Sequence, residues 1–244
     1  MKLKPRINII GRGNVACHLK KAYRANAEIF EVNPHTLAEL NPDADITLIS
    51  VIDSALPEVL ARLPKLKGVV AHTSGSTSID VFNGFAQDRF GVFYPLQTFS
   101  KSKELDYGII PFYIEGSDEA TGEILFNCAR MISSNVRYAG SEQRKRLHIG
   151  AVFACNFVNH LWTLSDSFLK EAGLEFKDLI PLISETVDKI KVLSPAEAQT
   201  GPAIRGDQKM IDNHLKELEK NDRLSAIYRL LSESILATRN PLQE

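Results

Sequence analysis

From Arg6 to about Tyr138 the chain alternates short apolar runs with stretches of helical periodicity. Residues 7–10, 46–52, 69–71, 90–93 and 109–114, with Glu28–Val32 as the second strand, are short and rich in β-branched or aromatic side chains. Several lack polar alternation, the pattern of strands covered on both faces. Between them residues 14–24, 54–63 and 118–133 read as helices, the last opening on Asp118 as N-cap with Glu119 beside it. Strands alternating with helices predict a parallel sheet flanked on both faces.

After Tyr138-Ala139-Gly140 the strand signal stops. Residues 141–172, 176–193, 207–219 and 222–238 all read as helix, punctuated by Gly173, Ser194-Pro195 and Gly201-Pro202. The pattern therefore divides the chain into a Rossmann-like domain at 1–139 and an all-helical substrate or dimerisation domain at 140–244. The fold class is α/β, a doubly wound, mostly parallel sheet followed by an all-α domain.

Composition narrows the partners. The 244 residues are 44% hydrophobic, and 29 Lys and Arg balance 30 Asp and Glu at a net charge of -1, which gives no electrostatic footprint for nucleic acid. Three widely spaced cysteines, Cys17, Cys128 and Cys155, support neither a disulfide framework nor a zinc site and point to a reducing, cytoplasmic setting. No stretch approaches the ~20 apolar residues of a membrane span, and no metal site is expected.

Gly11-Arg12-Gly13-Asn14-Val15-Ala16 joins the first strand to the first helix in the form G-x-G-x-x-A. The first glycine permits a tight turn, the second lets backbone approach a pyrophosphate, and the small sixth residue allows close helix-sheet packing. Free N–H groups at the helix start face the phosphate. A structural tight turn is the alternative. An acidic residue about 20 positions on would read the ribose of NAD, but the second strand ends in Asn33-Pro34-His35. That leans toward NADP with NAD possible, although no arginine stands nearby for a 2′-phosphate. Residues 33–45 are also short for a complete helix.

Ligands of open parallel sheets sit beyond the carboxyl ends of the strands. Ser50 and Val51 at one end, and Thr73, Ser74 and Gly75 at another, are candidate cofactor contacts; His72, Gln97 and Thr98 are candidate substrate contacts. Hydroxyl-rich or proline-broken turns of purely structural use remain open for both clusters. The cluster is not G-x-S-x-G, so a serine-hydrolase elbow is unsupported.

Residues 147–162 put apolar groups on every side of a helix, which predicts a path through the middle of a domain or an interface. The exceptions are His148, Asn156, Asn159 and His160, and an unpartnered buried polar group costs about 1–3 kcal/mol. At about 100° per residue His148 and Asn159 fall about 20° from one direction, so one stripe presents an imidazole and an amide. Histidine suits proton transfer near neutral pH; capping neighbouring helices is the competing use. Asn156 is a further substrate candidate. In the 199–207 loop Arg205 is placed to take a carboxylate, with Asp207 capping the next helix, or else is an ordinary surface arginine. Arg144-Lys145-Arg146 reads as a solvated face.

Taken together, the glycine loop, residues 72–76, Tyr94-Pro95-Leu96-Gln97-Thr98-Phe99-Ser100, Leu147-His148 with residues 151–160, and residues 199–207 resemble a bacterial family of Rossmann-like proteins provisionally labelled NADP oxidoreductases. The C-terminal half of that family is catalogued as a domain of unknown function. The family is similar to the 6-phosphogluconate dehydrogenase, pyrroline-5-carboxylate reductase and prephenate dehydrogenase group, whose helical C-terminal domain completes the active site and commonly dimerises. The resemblance implies that fold, a nicotinamide cofactor and a homodimer, and implies no substrate.

The residues thus point to an NAD(P)-dependent oxidoreductase acting on a small polar, anionic metabolite between the domains, with His148 moving the proton, Asn159 orienting substrate and Arg205 holding an anionic group. A non-catalytic dinucleotide- or metabolite-binding dimer is the alternative, and a Rossmann-type methyltransferase a more distant one.

Overall fold

The computed structural model describes residues 4–239. Seven strands form one sheet in the order β2-β1-β3-β4-β5-β6-β7: β1 (Arg6–Ile10), β2 (Glu28–Val32), β3 (Ile46–Ile49), β4 (Val69–His72), β5 (Phe90–Pro95), β6 (Phe112–Gly116) and β7 (Val136–Tyr138). β2 to β5 join β1 in one parallel array, β6 runs antiparallel to β5, and β7 is parallel to β6. The order reverses at β1, which pairs with β2 on one side and β3 on the other. That switch point opens a crevice at the carboxyl ends of the strands.

The side-chain period of two sorts the strands between two cores. Ile7, Ile9, Ile46 and Leu48 face a core closed by α1 (Asn14–Tyr23) and α3 (Glu119–Arg130). Ile10, Ile49 and Val70 face a second core closed by α2 (Leu56–Arg62) and Phe82. Asp118 caps α3 as its sequence predicts, accepting from the Thr121 amide at 2.8 Å.

No helix forms across residues 33–45, and the sheet is built for its absence. Asn8 and Thr47 stand opposite each other in the β1–β3 register. The Asn8 amide donates to Thr47 Oγ1 and to the Asn41 carbonyl, both at 2.9 Å, and its Oδ1 accepts from the Asn41 amide at 3.0 Å. Where a helix would demand apolar side chains, a buried amide satisfies loop backbone instead.

The chain separates into two compact units, Met1–Asn156 and Phe157–Glu244. The division falls inside the helical run rather than at the composition shift at 139/140, because α4 (Ser141–Ala151) is bonded to the sheet unit. Ser141 Oγ donates to Glu115 at 2.8 Å and accepts from the Ile79 amide at 3.0 Å, and Arg144 pairs with Glu115. The second unit contains α5 (Val158–Glu171), α6 (Ile180–Lys189), the short α7 (Pro202–Arg205), α8 (Gln208–Glu217) and α9 (Asp222–Arg239). Asp207 caps α8 through the Met210 amide at 3.1 Å, as expected.

Of the two placements expected for residues 147–162, the middle of a domain or an interface, the first is not the one observed. Ile149, Phe153 and Phe157 are 50%, 64% and 50% exposed, so the run does not cross the middle of a domain. It is also discontinuous, because residues Val152–Phe157 form a π-helical segment between α4 and α5. Turns closed by i→i+5 bonds hold more residues than α turns, so the regular spacing that aligned His148 with Asn159 does not apply.

Candidate functional site

The glycine turn lies at the switch point. Gly11 has φ +142°, and a Cβ there would stand 2.0 Å from the Ser50 carbonyl oxygen. Only glycine lets β1 end this close to the residue that follows β3. Gly13 is the N-cap of α1; it brings no side-chain cap, the first turn carries no acidic residue, and nothing lies within 4 Å of where its Cβ would point. The start of α1 therefore presents uncapped N–H groups to open space, the arrangement a pyrophosphate requires. A cavity of about 430 Å³ lies there, lined by Arg12, Asn14 and Val15, by Ser50 and Val51, and by Pro34 and His35. This brings the predicted cofactor residues of β1 and β3 together.

An arginine does stand beside residues 33–35, and it comes from α2. Arg62 also lines this cavity, and its guanidinium donates to the carbonyls of His35 and Pro34 at 2.5 and 2.6 Å. Its separation of 27 and 28 residues from those partners hid it from any local motif. Glu31, the acidic side chain nearest the expected spacing, is ion-paired with Lys20 at 2.6 Å.

A second constellation forms at the ends of β4 and β5. Tyr94 Oη and His148 Nδ1 are 3.0 Å apart. A Cβ on Gly75 would lie 2.6 Å from His148 Nδ1 and 2.7 Å from Tyr94 Cζ, so the 73–76 loop lies directly against the pair. Burial pushes the Tyr94 hydroxyl up to about 12, which keeps it protonated at neutral pH. A cavity of about 760 Å³ adjoins the pair, walled by Leu96, Gln97 and Thr98, by Arg146, and by π-segment residues including Asn156. Gln97 and Thr98 thus reach the place assigned to them, and Tyr94, which its residue type alone did not single out, joins the centre.

Other candidates sit differently. His72 has no exposed surface; its Nδ1 accepts from the Ser74 amide at 3.2 Å and its ring stacks on Phe82. It supports the loop from beneath and is not positioned for substrate. Thr73 is buried, and Ser74 Oγ accepts from the amides of Ser76 and Thr77 at 3.1 and 3.0 Å, so these hydroxyls shape the turn. Arg144, read as part of a solvated run, is fully buried: it pairs with Glu115 and donates to the Thr77 carbonyl. Asn159 and Arg205 are exposed on α5 and α7 of the second unit. Among the described residues no cluster of three His, Cys, Asp or Glu groups could hold a metal ion, and no helix is long and apolar enough to cross a membrane.

A Rossmann-like sheet with a glycine turn at its switch point, followed by helices, defines the class. Within it the chain belongs to the family described as a domain of unknown function, DUF2520, whose model matches residues 110–235, just over half of the chain. A Bacteroides fragilis protein, provisionally described as an NADP oxidoreductase, is 38% identical over 96% of this chain and 98% of its own, with a TM-score of 0.86. A Thermotoga maritima protein is 22% identical over 98% of this chain and the whole of its own, at 0.69. A reductive aminase of Aspergillus terreus, solved with NADPH and ethyl-5-oxohexanoate, is 10% identical over 97% and 94%, at 0.66, a likeness of fold alone. Among curated proteins none matches.

Burial holds the His72 pKa at about 4, with the Arg144 charge acting in the same direction. The unfolded chain protonates near 6.5 and the folded chain does not, so stability falls as pH drops through that window. We expect this group to cost about 2 kcal/mol between pH 7 and 5. Urea unfolding at the two pH values reads it: His72→Asn should flatten the pH slope, and an unchanged slope would refute the assignment.

Proposed function

We propose that the protein is an NADP(H)-dependent oxidoreductase acting on a small, polar, anionic metabolite. The observation that carries this is the placement, at the carboxyl ends of the parallel strands, of an uncapped glycine turn and a Tyr94–His148 pair in contact with Gly75. The residues of the turn would hold the pyrophosphate through the N–H groups of α1. Arg12 and Arg62 supply the positive charge for a 2′-phosphate that residues 33–35 lack, and this favours NADP over NAD. Nicotinamide supplies or accepts the hydride.

The chain itself must move a proton. With His148 Nδ1–H donating to Tyr94 Oη, the imidazolium form delivers its Nε2 proton to the oxygen or nitrogen of a carbonyl or imine being reduced, leaving the neutral ring, which recovers a proton from water. In the reverse direction the same nitrogen, deprotonated, accepts the proton of an alcohol or amine. Arg146 is the cation bordering the cavity for an anionic group.

Calorimetry against NADPH and NADH tests the cofactor, followed by turnover on a panel of oxo acids and imines. NADPH should bind more tightly than NADH, and Arg62→Ala should narrow that difference by about tenfold, the low end of one hydrogen bond to a charged group. His148→Ala should keep NADPH binding and lose turnover by a factor on the order of 100 or more. Binding of neither cofactor to the wild type would end the proposal.

The partner we propose for the helical unit is a second copy of the chain. Leu182, Val192 and Leu230 are 64%, 82% and 67% exposed on its surface, large apolar side chains that a second copy would cover. The setting we propose is the reducing cytoplasm, where Cys17, Cys128 and Cys155 would stay as thiols. Sedimentation should give twice the single-chain mass, and Leu182→Asp with Val192→Asp should shift it toward one; a wild-type monomer at micromolar concentration would contradict the dimer.

A further inference from the structure

Asn14, His18 and Lys21 occupy positions i, i+4 and i+7, one face of α1, and all three reach a single segment beyond β5. Asn14 Nδ2 donates to the Phe99 carbonyl at 2.8 Å. His18 Nε2 lies 2.8 Å from the Ser100 carbonyl, so it carries the hydrogen, and Nδ1 accepts from Tyr107 Oη at 2.9 Å. The ring is 1% exposed and packs on Phe99 at 5.1 Å. Lys21 Nζ donates to the Lys101 carbonyl at 3.4 Å and pairs with Glu104 at 3.1 Å. The same segment begins with Leu96, Gln97 and Thr98, the wall of the cavity beside Tyr94 and His148.

We infer that Asn14 and His18 are positioning residues that carry occupation of the phosphate turn to the substrate wall. The first turn of α1 has no side-chain cap, so a bound anion supplies one. Capping the turn immobilises the Asn14 backbone, and its amide, already on Phe99, then holds residues 97–100 with less entropy to lose. His18, one turn on, keeps the loop in place through Ser100 and Tyr107. Because such coupling is reciprocal, a ligand in the large cavity tightens the dinucleotide in turn. The inference rests on the dinucleotide reading above.

Hydrogen exchange of the wild type, Asn14→Ala and His18→Phe, each with and without NADPH, separates the two. NADPH should slow exchange at residues 11–15 in all three proteins. In the wild type it should also slow residues 97–104 by about fivefold or more, the low end of ordinary coupling, and in the variants that second response should vanish. A merely structural latch would alter the loop equally with and without NADPH. Asn14 is exposed, so its variant folds even where His18→Phe does not. Protection at 11–15 without a loop response in the wild type, or a loop response retained in the variants, overturns this inference alone. No protection at 11–15 overturns it together with the dinucleotide reading.

Discussion

The candidate site depends on a buried cation. Arg144 has no exposed surface, and its guanidinium bonds to Glu115 on β6, to the Thr77 carbonyl and to Ser141 Oγ. A charge taken out of water at such cost persists where several well-placed partners offset it. These partners belong to the sheet and to the loop after β4, so the contact fixes where α4 lies. His148 is four residues further on and therefore on the same face. Docking Arg144 brings the imidazole to Tyr94, against the backbone of Gly75. Beside it, Ser141 holds the start of α4 to Glu115 and to the Ile79 amide, so the arginine and the serine together set the histidine against the loop.

Periodicity exposed the layers and the glycine turn, because both are local: strand runs, helix caps such as Asp118 and Asp207, and G-x-G-x-x-A all lie within a few residues. The shortened segment at 33–45 was equally legible, since a helix needs length. What sequence concealed was pairing at a distance. Arg144 sits in a basic run that looks solvated, and its carboxylate partner is 29 residues upstream. Arg62 serves the end of β2 from another helix. His72 carries the residue type of an acid-base group, yet its neighbours Phe82 and Arg144 make it a buried neutral ring.

The stripe joining His148 to Asn159 rested on uniform helical geometry, and the π-helical segment at Val152–Phe157 removes that premise. Such segments recur where a helix lines a functional cavity, and this one contributes Asn156 and Cys155 to the wall of the larger cavity. The sequence signal and the structural feature concern the same stretch, but they differ in kind. Polar residues on an apolar helix mark a place where the chain serves something other than its own core, without saying which residues face it.

The all-round apolar character of 147–162 has the same ambiguity and a different resolution. A helix apolar on every side is buried by something, and the pattern does not distinguish its own domain from another chain. Exposure of Phe153 and Phe157 decides against the domain. Among its described residues the helical unit shows the same imbalance, with Ala203, Ile211 and Leu218 as the buried apolar residues and a longer set of large apolar side chains exposed. A helical unit with that ratio sets little apolar burial against the entropy of ordering its chain. Such a surface is what the proposed second copy would cover, through the self-complementary patches of a two-fold dimer.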